Sequence, residues 1–208
     1  MTEEPSEREL SPVQIDALRE AGNIGAGNAA IALSQMVNQK VDLSTPKATV
    51  QPLTTVPDLV GGAEASVAGV YLTVTGDVGG SILLLLEEES AARLARLMAP
   101  KERETAEMTV MQRSALQETG SILSGAYLSA LGMLTGLFFK PSVPGFALDM
   151  AGAIFDYVLV DLAASEDHVL VVETDFMISG VKITGHLVFF PDLGTLHTIL
   201  TRLGVPFD

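Results

Sequence analysis

Cysteine is absent from the 208 residues, which removes disulfides, thiolate metal sites and cysteine nucleophiles together. Basic residues are scarce: 12 Lys and Arg stand against 26 Asp and Glu, a formal net charge of -14 at pH 7. Such a chain repels nucleic acid and anionic membrane surfaces and suits a basic or metal-bearing protein partner. No apolar run approaches the roughly 18 residues needed to cross a bilayer, so no membrane insertion is expected. The chain opens on the acidic MTEEPSERE and not on a basic and then apolar stretch. No signal peptide is therefore expected, and the expected location is the cytoplasm. What is plentiful is apolar: 48% of the residues are hydrophobic, enough to fold around a substantial core.

The chain repeats itself. ALREAGNIGAGNAAIALSQM (Ala17 to Met36) aligns without a gap on ALQETGSILSGAYLSALGML (Ala115 to Leu134). Upstream, SPVQ at Ser11 to Gln14 aligns with TVMQ at Thr109 to Gln112. Each reads as a capping box, in which the hydroxyl accepts from a free backbone N–H and the glutamine reaches back to the cap. Pro12 suits the first helical position. Downstream, Pro46 aligns with Pro144 in the same register. A chance match would seldom keep a cap, a core stripe and a distant proline together.

The later segments correspond more loosely. SVAGVYLTVTGDVGGSILLLLEEE (Ser66 to Glu89) and DHVLVVETDFMISGVKITGHLVFFP (Asp167 to Pro191) each hold two β-rich runs around a glycine turn. A short amphipathic helix follows each, ESAARLARLM and LGTLHTILTRL. The order in each half is long helix, strand, strand pair, helix. The expectation is an α+β fold of two pseudo-twofold-related halves, with a largely antiparallel sheet and paired long helices. Residues 11–208 would form a single domain of two repeats, about 11–100 and 109–208, after a disordered tail of residues 1–10. The segment APKERETAE is a second candidate for poor order. GFALDMAGAIFDYVLVDLA (Gly145 to Ala163) reads as an additional helix, with Asp149, Ala153 and Asp156 on one exposed face and Met150, Ile154 and Val158 beneath.

Positions three or four apart share a helix face. Asp16, Glu20 and Asn23 form one such stripe in the first half; Ser114, Glu118 and Ser121 form it in the second. The opposite stripes, Ile15, Leu18 and Ile24, and Leu116, Ile122 and Leu123, should face the core. A polar stripe alone is ordinarily a solvated face; its repetition with the glutamate retained argues for a site. Gly22, Gly25 and Gly27 do not read as a phosphate loop, because such loops follow a strand and open a helix. Gly22 and Gly27 recur as Gly120 and Gly125, which suggests close packing between helices or against a partner. His168, His186 and His197 have no ligand at metal-binding spacing and read as surface or packed structural residues. The run LLLLEEES reads as a buried strand ending in a solvated acidic turn, and the eight methionines as core fillers.

The pattern Asp/Ser, three residues, Glu, two residues, Asn, twenty-two residues, Pro resembles the signature of the CheC/CheX/FliY chemotaxis phosphatases. Asp16, Glu20, Asn23 and Pro46 complete it; Ser114, Glu118, Ser121 and Pro144 keep it except for serine in place of asparagine. Two copies spanning residues 11 to 205 resemble the CheC type. The resemblance implies hydrolysis of the phosphoryl group on the response regulator CheY, with Mg2+ supplied by the regulator and no metal in this chain. Asn23 would position the attacking water, since a carboxamide offers donor and acceptor without added charge. Glu20, and Glu118 in the second copy, would pair with a regulator lysine, beside partner contacts from Asp16, Ser114 and Ser121. The shorter serine implies weak or no turnover at the second site. In such proteins the extra helix of the second half docks the receptor deamidase CheD, which points to Asp149. The alternative is a non-catalytic adaptor that binds CheD or a regulator. A small-ligand domain with an interior pocket has little support, because no convergent polar set stands among the apolar strands.

Overall fold

A computed structural model of the chain describes residues 10–44, 47–99, 108–161, 168–178 and 180–206. The two capping boxes start the two longest elements. At Ser11 the backbone N–H donates to Gln14 Oε1 at 2.8 Å, and Gln14 N–H donates to Ser11 Oγ at 3.4 Å. At Thr109 the corresponding distances to and from Gln112 are 2.9 and 3.2 Å. Helix α1 (Pro12–Val37) and helix α3 (Val110–Thr135) follow, 26 residues each. They end on left-handed residues, Asn38 at φ 51° and Gly136 at φ 70°, the conformation that lets the last carbonyls find partners.

The register of the repeat runs on beyond the helices. Strands β1 (Val41–Leu43) and β2 (Lys47–Pro52) recur at the same offset as β5 (Phe139–Pro141) and β6 (Gly145–Met150). There the halves diverge: the first continues as a 3-10 helix, Leu53–Val60, and the second as helix α4 (Ala151–Asp161). Each half then closes with a hairpin and a helix. In the first these are β3 (Ser66–Gly76), β4 (Gly80–Glu87) and α2 (Glu88–Met98); in the second, β7 (His168–Ile178), β8 (Val181–Pro191) and α5 (Thr195–Arg202).

All strand pairings are antiparallel, and the strands make one sheet with the path β1-β7-β8-β4-β3-β5. β2 also pairs with β7, and β6 with β3. The halves therefore interlock: the strands after α1 complete the second hairpin, and those after α3 complete the first. The seam is β4 against β8, with Leu83 opposite Val188. Alternate residues of β4 serve opposite cores. Ile82, Leu84 and Leu86 pack with α1, α2, α3 and α5, while Leu83 and Leu85 pack with the 3-10 helix and α4. Burial on both faces explains the unbroken LLLL run.

Several expectations need correction. Gly145 to Ala163 is not one helix: Gly145–Met150 is an edge strand and helix begins at Ala151. Asp149 is thus exposed on a strand, and Met150 is 52% exposed, whereas Ile154 and Val158 are buried as expected. The acidic run after LLLL is the first turn of α2, where Glu88 and Glu89 meet the positive end of the helix dipole. None of the described methionines is fully buried: Met98 and Met108 pack half-buried against the core, but Met111 and Met133 are 59% and 63% exposed. Leu18, Leu116 and Leu123 are buried, but Ile15, Ile24 and Ile122 are only half-buried. The core line of α1 runs through Gln14, Leu18, Ala21, Gly22, Gly25, Ala29 and Leu33 instead. Apart from Leu10, which packs against the core, the expected tail lies outside the described residues, as do residues 100–107 of the second low-order candidate.

Candidate functional site

Core burial of Leu18, Ala21, Ala29 and Leu33 holds α1 against the sheet and α3. At about 100° per residue this leaves Asp16, Glu20, Asn23, Gly27 and Ile31 along one outer sector. Asp16 and Glu20 are exposed and Asn23 is half-buried. Asp16 Oδ1 accepts from Arg19 Nη1 at 2.9 Å, an exposed pair that contributes little to stability. Among the described residues, neither Glu20 nor Asn23 uses its side chain in a hydrogen bond or ion pair. A carboxylate and a carboxamide, one turn apart, are presented on a rigid support.

The second copy repeats this placement. Ser114 and Glu118 are exposed and Ser121 is half-buried. Gln117 Nε2 donates to the Pro144 carbonyl at 3.2 Å, which ties α3 to the loop before β6. Pro46, the counterpart of Pro144, lies outside the described residues. Asp149 stands apart from both motifs, on the opposite side of the sheet. It borders a cavity of about 450 Å³ lined by Gly69, Tyr71, Phe146, Ala153 and Tyr157. The polar residues of that lining are few, so the small-ligand reading gains little.

The glycines divide into two kinds. A methyl at Gly120 would lie 2.5 Å from Val70 Cγ1, so this glycine lets α3 press on the sheet. Gly22 is buried beside a void of about 20 Å³ between α1, α3 and the sheet. At Gly27 and Gly125, in contrast, an added methyl would meet nothing within 4 Å. Of the two readings of their recurrence, packing between the helices therefore does not hold for this pair, and close approach by a partner remains. The packing role falls to Gly25, where a Cβ would sit 3.0 Å from Tyr127 Cα. Neither partner stands out in the repeat, since Gly25 aligns with Leu123 and Ala29 with Tyr127. Tyr127 itself is buried, its hydroxyl has no partner among the described residues, and burial pushes its pKa up.

Among the described residues no group of three or more histidines or carboxylates is arranged to hold a metal ion. No described helix is long and apolar enough to cross a membrane.

A family model described as CheC-like matches residues 13–50, which contain Glu20 and Asn23. CheY-P phosphatase CheC of Bacillus subtilis is 35% identical over 196 residues, covering 92% of this chain and 94% of that protein. The chain belongs to the CheC-like family. Among solved structures, this CheC-like chain matches Thermotoga maritima FliY with a TM-score of 0.73 at 23% identity, over 94% of this chain and 98% of that one. It also matches the CheX–CheY–BeF3–Mg2+ complex from Borrelia burgdorferi at a TM-score of 0.50 and 16% identity, over 86% and 97% of the two chains. These likenesses establish a shared fold of antiparallel sheet and paired long helices.

Proposed function

We propose that this chain is a phosphatase of phosphorylated CheY-like response regulators and that α1 carries its working site. The observation that carries the reading is the pair Glu20 and Asn23, one turn apart on the outward face of a helix held by the core. Near-full-length identity to a protein named a CheY-P phosphatase supports it. In this mechanism α1 docks over the phosphoaspartate of the regulator. Glu20 pairs with a regulator lysine and draws it from the phosphoryl group. The Asn23 carboxamide accepts from and donates to a water, holding it in line with phosphorus. Water oxygen bonds to phosphorus as the bond to the aspartyl oxygen breaks, and inorganic phosphate leaves. Mg2+ comes with the regulator, as the content of the Borrelia complex suggests, and offsets charge on the phosphoryl oxygens.

Glu118 takes the pairing role on α3, but Ser121 is too short to hold the same water, so the second copy turns over slowly or not at all. Phosphate release from a phosphorylated regulator tests both statements. Asn23→Ala should lower the rate on the order of a hundredfold, the scale set by losing water orientation, while Glu118→Ala changes it little. The reverse pattern would overturn the assignment.

Asp149 is the position we propose for contact with CheD. It is exposed at the end of β6, beside the 450 Å³ cavity. Asp149→Lys should weaken capture of CheD in a pull-down while hydrolysis continues; undiminished capture would remove the idea. A pure adaptor would bind regulator or CheD but release no phosphate above the regulator's own rate.

A further inference from the structure

We infer that Gly27, and Gly125 in the second copy, are clearance positions that let a regulator approach the helix backbone beside Asn23 and Ser121 respectively. This rests on the phosphatase reading above. A glycine within a helix destabilises it relative to alanine, because the unfolded chain loses more freedom and no side chain packs. A fold keeps such a residue where a turn needs positive φ or where a neighbour sits too close for a Cβ. Gly25 and Gly120 have such neighbours in Tyr127 and Val70. Among the described residues Gly27 and Gly125 have neither reason: both lie inside helices without positive φ, and an added methyl would meet nothing within 4 Å. They occupy the same place in the repeat, so the same unexplained choice is made twice. The described residues hold no explanation for it, which points to a partner.

Their location says what approaches. Gly27 follows Asn23 by one turn in the same outward sector, and Ile31, 62% exposed, follows one turn later. The three form a notch between an amide and an apolar side chain. The Asn23 side chain is short, so its amide reaches a water beside the phosphoaspartate only if the regulator surface comes close to the helix. A side chain at position 27 would stand in that path. Ser121, Gly125 and Ser129 keep the notch on α3 but replace the apolar end with an exposed serine.

Gly27→Ala, Gly27→Leu and Asn23→Ala are compared with the parent chain by regulator dephosphorylation kinetics and by thermal unfolding. Both Gly27 variants should melt about 2–4 °C higher, as removal of a helical glycine predicts for a chain of this size. Gly27→Leu should nonetheless lose on the order of tenfold in kcat/KM through poorer positioning, with Gly27→Ala between it and the parent. Parental kcat/KM in Gly27→Leu overturns the inference, and so does a lower melting temperature that tracks the loss of activity. If the parent releases no phosphate, or Asn23→Ala matches it, the phosphatase reading has failed separately. Binding of beryllofluoride-activated regulator then decides: weaker binding by Gly27→Leu sustains the clearance role, and equal binding overturns it.

Discussion

Asn23 and Ser121 occupy equivalent places, both half-buried on the outward side of a long helix. Only the length and chemistry of the side chain separate the two copies there. A carboxamide reaches further than a hydroxyl and offers donor and acceptor on separate atoms. His186, on β8, has a different consequence. It is 9% exposed, its Nδ1 has no hydrogen-bond partner among the described residues, and burial holds its pKa below the usual 6.5. Glu173, Glu87 and Asp175 pull in the opposite direction without prevailing. The unfolded imidazole therefore takes up a proton at higher pH than the folded one. This contribution to stability is complete above pH 6.5 and declines as pH falls through that value. His186→Gln should make unfolding free energy, read by urea titration at pH 7 and pH 5, less dependent on pH. An equal decline in variant and parent would refute the assignment. Its spacing showed only that the histidine was not a metal ligand; whether it lay at the surface or was packed depended on β4 and β7 lying beside it.

At the scale of elements, α1 holds two glycines two positions apart with opposite demands. Gly25 faces α3, where the obstacle is the backbone of Tyr127 and cannot rotate away. Gly25→Ala should therefore destabilise by about 1–3 kcal/mol through overpacking, more than the roughly 1 kcal/mol of helix propensity it gains. Urea denaturation reads the difference; a more stable Gly25→Ala would mean the helices separate without cost. The starts of α1 and α3 were readable from their capping boxes, which are local chemistry; their ends at Asn38 and Gly136 were not marked in advance. The edge strand β6 was not, although its register matches that of β2. The run from Gly145 is apolar enough to continue smoothly into α4, so periodicity alone merged strand with helix. The glycines misled for a related reason. Recurrence in the repeat marks what the copies share, and the contact between Gly25 and Tyr127 is made by residues that the copies do not share.

At the scale of the molecule, the interlocked sheet makes each half depend on the other. β1 and β2 pair with β7, while β5 and β6 pair with β3, so neither hairpin has its outer partner without the other half. The sequence by itself determined the two long helices, their caps, the repeat and the outward pairing of Glu20 with Asn23. All of these follow from spacing within a few residues, or from one segment compared with another. Tertiary structure alone decided which strands exchange between halves, that α4 and the 3-10 helix cover one face of the sheet while the long helices cover the other, and which glycines are crowded. Those outcomes turn on contacts between residues far apart in the chain, where hydrophobic burial selects a partner by shape and register and local pattern carries no address.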